Sequence, residues 1–332
     1  MTQRPHQRGA ALLTAMIIVT LIASLAAGMV WQQYRAVQIE AADRARAQST
    51  WILQGALDWA RLILLEDAKQ NRNKPVDHLG EPWAVPLAEA RLSTFLATEN
   101  SSATTDDGPE AFLSGSIEDA QSRYNLRSLL GGPQVPELEK RVLERLCSQV
   151  NAPPGTAGVI IAGLRAAFPD AASAASSSAS GVGSTPVSDS GPLRPAGVDE
   201  LSWLGLDADT IARLQPYVVL LPKLTAVNLN TAPREVIAAL FDGVDLASAE
   251  RLVQGRKASP LQKVDDAKAY LPASVQIDAG RASVDSSFFI VTGRLRLDER
   301  QLEQRSLIER DGLHMNILAR ERINQLLDRD KP

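Results

Sequence analysis

The sequence predicts an α+β fold, in which a long N-terminal helix packs on an antiparallel sheet and a large helical domain is inserted within the sheet domain. Three observations carry this. An uncharged run, Ala10–Val30, passes without a proline into an amphipathic run that continues beyond Ile63. Alternating apolar segments crowd the C-terminus, and one more lies near Ile117. Between them, apolar residues recur at helical spacing.

The first element is the N-terminal helix. Ala10–Val30 is 21 residues long, roughly 30 Å as a helix, which matches the hydrocarbon thickness of a bilayer. Arg4 and Arg8 precede it, so the positive-inside rule keeps the N-terminus cytoplasmic and sends the C-terminal bulk across. Beyond Val30 the helical pattern continues, with Ile52, Ala56, Trp59 and Ile63 expected to form the apolar stripe. Three readings of this segment stand side by side. A cleaved secretory signal would use "SLAAG" at Ser24–Gly28. A plain signal-anchor explains the length. A leader cut at Gly9, with the helix retained, explains length, charge and continuity together.

Pro75, Pro82 and Pro86 end the helix, and the globular part starts within His78–Leu92. Phe112–Leu130 reads as a strand, a turn and a helix start, with Tyr124, Asn125 and Leu126 at the turn; Glu118 and Asp119 beside it are expected to be solvated. Pro136–Val150 is a helix with Leu138, Val142, Leu146 and Val150 on its buried row and Cys147 at the edge; Gly155–Phe168 is another. Residues 170–191 are rich in Ser, Ala and Gly, with almost nothing to bury, and read as a loop or linker.

Pro195 and Asp199 offer a helix start, and Asp207 or Asp209 an N-cap. In "AVNLNTAPREVIAALFDGVDLAS", Asn228 and Asn230 alternate with Val227 and Leu229 in a short extended segment. Thr231 is the expected N-cap, Pro233 lies in the first turn, and Glu235 falls near the capping-box position. Asp285–Glu299, Gln301–Gly312 and Met315–Ile323 are strands, joined by turns at Asp298-Glu299 and Asp311-Gly312.

Composition excludes several classes. With 35 Lys+Arg against 39 Asp+Glu the net charge is −4, so there is no global basic field for nucleic acid. Cys147 is the single cysteine, which excludes an intrachain disulfide and a Cys-based zinc site. His6, His78 and His314 share no metal-binding spacing, and no nucleophile elbow occurs; "SGVGS" at Ser180–Ser184 lies in low-complexity sequence. No catalytic residue, metal ligand or cofactor is therefore assigned.

The leader ending in Arg8-Gly9, followed by an apolar run and a long helix, resembles the precursors of type IV pilin-like proteins. The resemblance implies cleavage after Gly9 by a prepilin peptidase and methylation of the new amine of Ala10. Most members carry Glu at the fifth mature position, where this chain has Thr14. A carboxylate buried in a filament needs a neighbour's terminal ammonium, and unpaired it costs several kcal/mol. A subunit with no predecessor is better without it. Missing acid, Tyr124-Asn125-Leu126 and the Asn228-x-Asn230-Thr231-Ala232-Pro233 motif together resemble the minor pseudopilin K family of type II secretion.

That resemblance implies a non-enzymatic subunit at the tip of a periplasmic pseudopilus. Its partners would be two other minor pseudopilins in a tip complex, the major pseudopilin, the prepilin peptidase and the inner-membrane secretion platform. The fold would be pilin-like, divided into a leader (1–9), the transmembrane part of the helix (10–30), the periplasmic helix with the start of the sheet (31–124), an inserted helical domain (125–282) and closing strands (283–332). Localisation would be single-pass in the inner membrane, with the C-terminal domain periplasmic. Some members bind calcium in an acidic part of the insertion; here its counterpart has only Asp170 and Asp189 at its borders, too few for six to eight oxygen ligands. The asparagine motif also resembles helix-hairpin-helix DNA-binding domains, which leaves a competence-type, DNA-handling pseudopilin as an alternative. Asp242 and Asp245 in the hairpin would repel a phosphate, so no nucleic acid is expected. An anchored periplasmic protein of other activity is the remaining alternative.

Overall fold

The computed structural model describes residues 8–92, 111–169, 192–278, 280–297 and 300–326. Arg4, the expected loop at 170–191 with Asp170 and Asp189, and the expected turn at Asp298-Glu299 lie outside the described residues. The chain divides into two compact units, Met1–Ala56 and Leu57–Pro332.

In the first unit every described residue belongs to α1 (Arg8–Gln70), which is long and apolar enough near the N-terminus to cross a membrane. Large apolar side chains from Leu12 to Val30 are exposed. Hydroxyls within this stretch are satisfied by the helix itself: Thr14 Oγ1 donates to the Ala11 carbonyl at 3.0 Å and Ser24 Oγ to the Thr20 carbonyl at 2.8 Å.

The second unit begins with the last turns of α1 and is built on a five-stranded antiparallel sheet. Its strands are β1 (Leu87–Arg91), β2 (Ala111–Asp119), β7 (Phe288–Leu297), β8 (Arg300–Asp311) and β9 (His314–Leu326), in the order β1-β2-β7-β8-β9. β2 and β7 pair from Ala111↔Leu297 to Asp119↔Phe289, so the chain leaves the sheet at Asp119 and re-enters beside its point of departure. The turn between β8 and β9 uses Gly312 at φ 58°, a conformation that favours glycine. β1 was not foreseen: "LAEAR" is short and polar, as edge strands are.

Between β2 and β7 lie the helices α2 (Glu137–Gln149), α3 (Thr156–Ala167), α4 (Ala208–Leu214), α5 (Arg234–Leu240) and α6 (Leu246–Ala258). Two short parallel pairs tie them together, β3 (Tyr124–Asn125) with β4 (Val218–Val219) and β5 (Val227–Asn228) with β6 (Ala282–Ser283). Their core gathers Leu143, Leu146, Ile160, Leu164, Ile237 and Leu252. Asp207 caps α4, its carboxylate accepting from Thr210 N at 2.8 Å. Leu138 departs from the expected buried row of α2. It is exposed on the side of the first turn away from Tyr124 and Arg281, which meet Glu139, while Val142 and Leu146 are buried.

The sheet is covered on both faces. On one, Leu57, Ala60 and Leu64 of α1 pack with Phe289, Val291, Ile308 and Trp83, whose ring meets Phe289 edge-on at 5.3 Å. On the other, Phe288, Ile290 and Leu307 meet Val219 and Leu221 of the helical region. The stripe on α1 is thus one position off the expected row. Trp59 is 51% exposed and Leu64 is fully buried. The reason is polar: continuing the Leu57–Ala60–Leu64 row one turn on brings Asp67 inward, where Arg310 receives it.

Candidate functional site

The residues singled out by the asparagine motif converge on a buried polar junction where α1, the sheet and the helical region meet. Asn228 ends β5 and has no exposed surface. Its Nδ2 lies 3.0 Å from both Asp119 Oδ2 and Ser286 Oγ, and 3.1 Å from the Asp77 carbonyl; its Oδ1 accepts from Asn230 N at 2.9 Å. One amide therefore joins four parts of the chain. Asn230 clasps Leu261, accepting from its N–H at 2.9 Å and donating to its carbonyl at 3.0 Å. Arg256, buried in α6, donates to the Leu229 carbonyl and holds the same loop from below. All four residues Val227–Asn230 are buried, so the expected alternation of faces extends only through the two-residue strand β5.

Thr231 is not the N-cap of α5. Its hydroxyl donates to Asp119 Oδ2 at 2.5 Å, and Pro233 occupies the cap position with no side-chain bond. Glu235 closes no capping box and instead pairs with Arg234 at 2.9 Å. Ala232 is fully buried and Pro233 half-buried. Asp119 is likewise not solvated. It is 3% exposed, and its carboxylate accepts from Asn228, Thr231, Ser286 Oγ at 2.6 Å and Gln121 N at 2.7 Å. Burial raises its pKa to about 6, against the lowering effect of those donors.

Tyr124, Asn125 and Leu126 form a second anchor. Tyr124 Oη donates to Glu139 Oε2 at 2.8 Å, and Glu139 also holds Arg281 at 2.8 Å. Burial, with the Glu139 charge beside it, holds the Tyr124 phenol well above its usual range. Asn125 donates to the Lys223 carbonyl at 2.8 Å and accepts from Arg127 N at 3.0 Å and Leu221 N at 3.2 Å. Leu126 is fully buried. The two anchors thus hold the helical region at both ends of its attachment.

Sequence reasoning missed the acids next to the junction. Asp67, Asp77 and Glu81 bring carboxylate oxygens within 4.8 Å of one another. Arg310 from β8 donates to Asp67 Oδ2 at 2.8 Å, to Asp77 Oδ2 and to the Ser286 carbonyl at 2.6 Å. Asn71 Nδ2 bridges Asp67 Oδ1 and Glu81 Oε1, and Glu81 Oε2 accepts from Trp83 Nε1 at 2.7 Å. Arg310 pairs with two of the three acids, Asp67 and Asp77, which makes this an ion-pair cluster. One signal was available: an acid at the end of an apolar helical row implies a buried partner.

The hairpin between α5 and α6 turns through Phe241–Asp245. Asp242 is held by Arg141 at 3.0 Å and by Arg145, both from α2, and Asp245 caps α6 by accepting from Ser248 N at 2.8 Å. The turn that would face a phosphate therefore presents carboxylates, and its nearby arginines are already paired. At the other end of the chain, Arg8, Gly9 and Ala10 open α1 and Thr14 lies within its first two turns.

Models of the family described as type II secretion system (T2SS), protein K, match residues 122–223 and 227–285. The type II secretion system protein K of Pseudomonas aeruginosa is 28% identical over 96% of this chain and 93% of its own. That of Klebsiella pneumoniae is 29% identical over 95% and 96%. One chain of the crystal structure of the GspK-GspI-GspJ complex from the enterotoxigenic Escherichia coli type 2 secretion system has the same fold. It superposes with a TM-score of 0.61 over 85% of this chain and 98% of its own, at 22% identity.

Proposed function

Since protein K family models match two stretches of the chain and protein K relatives align with nearly all of it, we propose that it is a member of that family, a minor pseudopilin at the tip of a pseudopilus, where it helps to initiate and cap the filament. Its role is positional, not enzymatic. Gly9 is the processing position and Ala10 the mature N-terminus. Residues 10–30 anchor the protein in the inner membrane, with Arg4 and Arg8 on the cytoplasmic side and residue 31 onward in the periplasm. The fold neighbour is a complex with GspI and GspJ, which supports two other minor pseudopilins as partners here. The major pseudopilin, the prepilin peptidase and the inner-membrane platform complete the set.

One observation carries the tip position. Thr14, in an otherwise apolar segment, satisfies its hydroxyl on the Ala11 carbonyl and brings no charge that a preceding subunit would have to neutralise. Its helix can enter a bundle, and the bulky helical region 125–282 then prevents addition of a further subunit.

The test is the mass of the N-terminal peptide of the membrane-extracted protein, followed by copy number in purified filaments. A peptide beginning at methylated Ala10 and one copy per filament are expected, with extra copies for Thr14→Glu. An intact Met1, or a start near Ala27, removes the filament from the account.

A further inference from the structure

We propose that Asp67, Asp77 and Glu81 form a proton-holding clasp at the end of α1, in which Asp77 Oδ1 carries a proton up to about neutral pH and its loss leaves a further uncompensated buried charge that destabilises the fold around the end of α1.

The charges come first. From α1 comes Asp67, from the following segment Asp77, His78 and Glu81, from β8 Arg310, and from the end of β2 Asp119, linked through Ser286 Oγ. Asp67, Asp77 and Glu81 are each under 10% exposed, and Arg310 is the single guanidinium among them. Three ionised carboxylates against one cation would leave two buried charges uncompensated, which the low-dielectric interior disfavours strongly.

The donors locate the proton. Asp67 accepts on both oxygens, from Asn71 and Arg310; Glu81 accepts on both, from Asn71 on one and from His78 N and Trp83 on the other. Asp77 Oδ2 accepts from Ser286 N at 2.7 Å and from Arg310. Asp77 Oδ1 is buried and has no donor among the described residues. Of the six oxygens it alone gains nothing from being an acceptor, so a proton costs least there. Burial, with the neighbouring acids, raises Asp67 to about 7, and burial raises Asp77 as well; the titration belongs to the cluster as a whole.

The sign follows by linkage. The unfolded chain gives up its aspartate protons near pH 4, whereas the folded cluster keeps one to about 7. Between those values the folded state binds the extra proton, so stability falls as pH rises toward 7 and levels off above it. Asp119 adds a contribution of the same sign that is mostly spent by about pH 6, with a small remainder above it. The diagnostic window is therefore pH 6 to 7.5.

The experiment is thermal unfolding of the full chain in detergent micelles from pH 5 to 8.5, for wild type and Asp77→Asn. Asparagine keeps one acceptor for Arg310 and Ser286 and places a neutral group where Oδ1 stands. Wild type is expected to lose several degrees across the window and the variant almost none. Parallel profiles would overturn the proposal. Should Asp77→Asn not fold, the infrared spectrum of the Asp119→Asn protein decides: a protonated-carboxyl band present at pH 6.5 and gone by pH 8.5 supports the clasp, and its absence at pH 6.5 refutes it. A rise in wild-type Tm with millimolar calcium that also abolishes the pH dependence would assign the orphan oxygen to a cation instead, and refute the proton.

Discussion

Asn228 Nδ2 lies 3.0 Å from Asp119 Oδ2, a bond that joins the helical region to the last residue of β2 inside a site closed to water. Asn228→Asp replaces the donor with a second carboxylate and sets two buried anions together. Unfolding of the full chain in detergent should show a loss of about 3–5 kcal/mol, the cost of an uncompensated buried charge. Asn228→Ala should lose less, since it only leaves partners unsatisfied. Equal stability for all three proteins would show that the junction is open to water.

Leu64 and Trp59 separate the two possible faces of α1. Leu64→Ala opens a cavity beneath Phe289 and Ile308 and should cost about 2–5 kcal/mol. Trp59→Ala removes the larger side chain from an exposed position and should change stability by no more than about 0.5 kcal/mol. The opposite ranking in a thermal melt would return the stripe to the row first read from the sequence.

Gly255 of α6 has no room for a side chain. A Cβ there would fall within the ring of Tyr270, with Cδ1 at 2.9 Å. Alanine gains about 1 kcal/mol in helix propensity, so any net loss in Gly255→Ala measures the clash. A double-mutant cycle with Tyr270→Leu should recover most of that loss. Additive effects would place the strain elsewhere.

Cys147 is buried on α2, and burial, with Glu144 nearby, pushes its thiol up to about 11. An unfolded thiol titrates near 8.5, so at pH 8 the native chain should react with a disulfide reagent on the order of a hundredfold more slowly than the unfolded one. Comparable rates would mean that α2 opens readily.

Much of this architecture was legible because periodicity reports burial. β7 and the core of α2 follow their sequence patterns, and the early strand near Ile117 is β2. Helix α1 was legible as a helix but not in its rotation, because two apolar rows compete and Asp67 decides between them through Arg310, which is remote in sequence. The asparagine motif stood out, yet its partners did not. Asp77, Asp119 and Ser286 look like loop residues, and only the fold brings them to Asn228. Thr231 misled for the same reason: its spacing suits a cap, but a buried carboxylate is the stronger acceptor.

The pairing of Asp119 with Phe289 fixes an order of events as the chain folds. Everything in residues 120–288 separates those partners, and closing a loop of that length in a disordered chain carries a large entropic cost. The helical region has its own core, built on Leu146, Ile160 and Leu252, and can assemble before the sheet does. Once formed, it delivers the two strand ends side by side. In pulse-labelled refolding, amides of α2 and α6 should gain protection before those of β2 and β7; the reverse order would mean that the sheet nucleates the fold. On that order the β2–β7 pairing beneath the long helix is the last contact to close, and its closure reports that the helical region has folded.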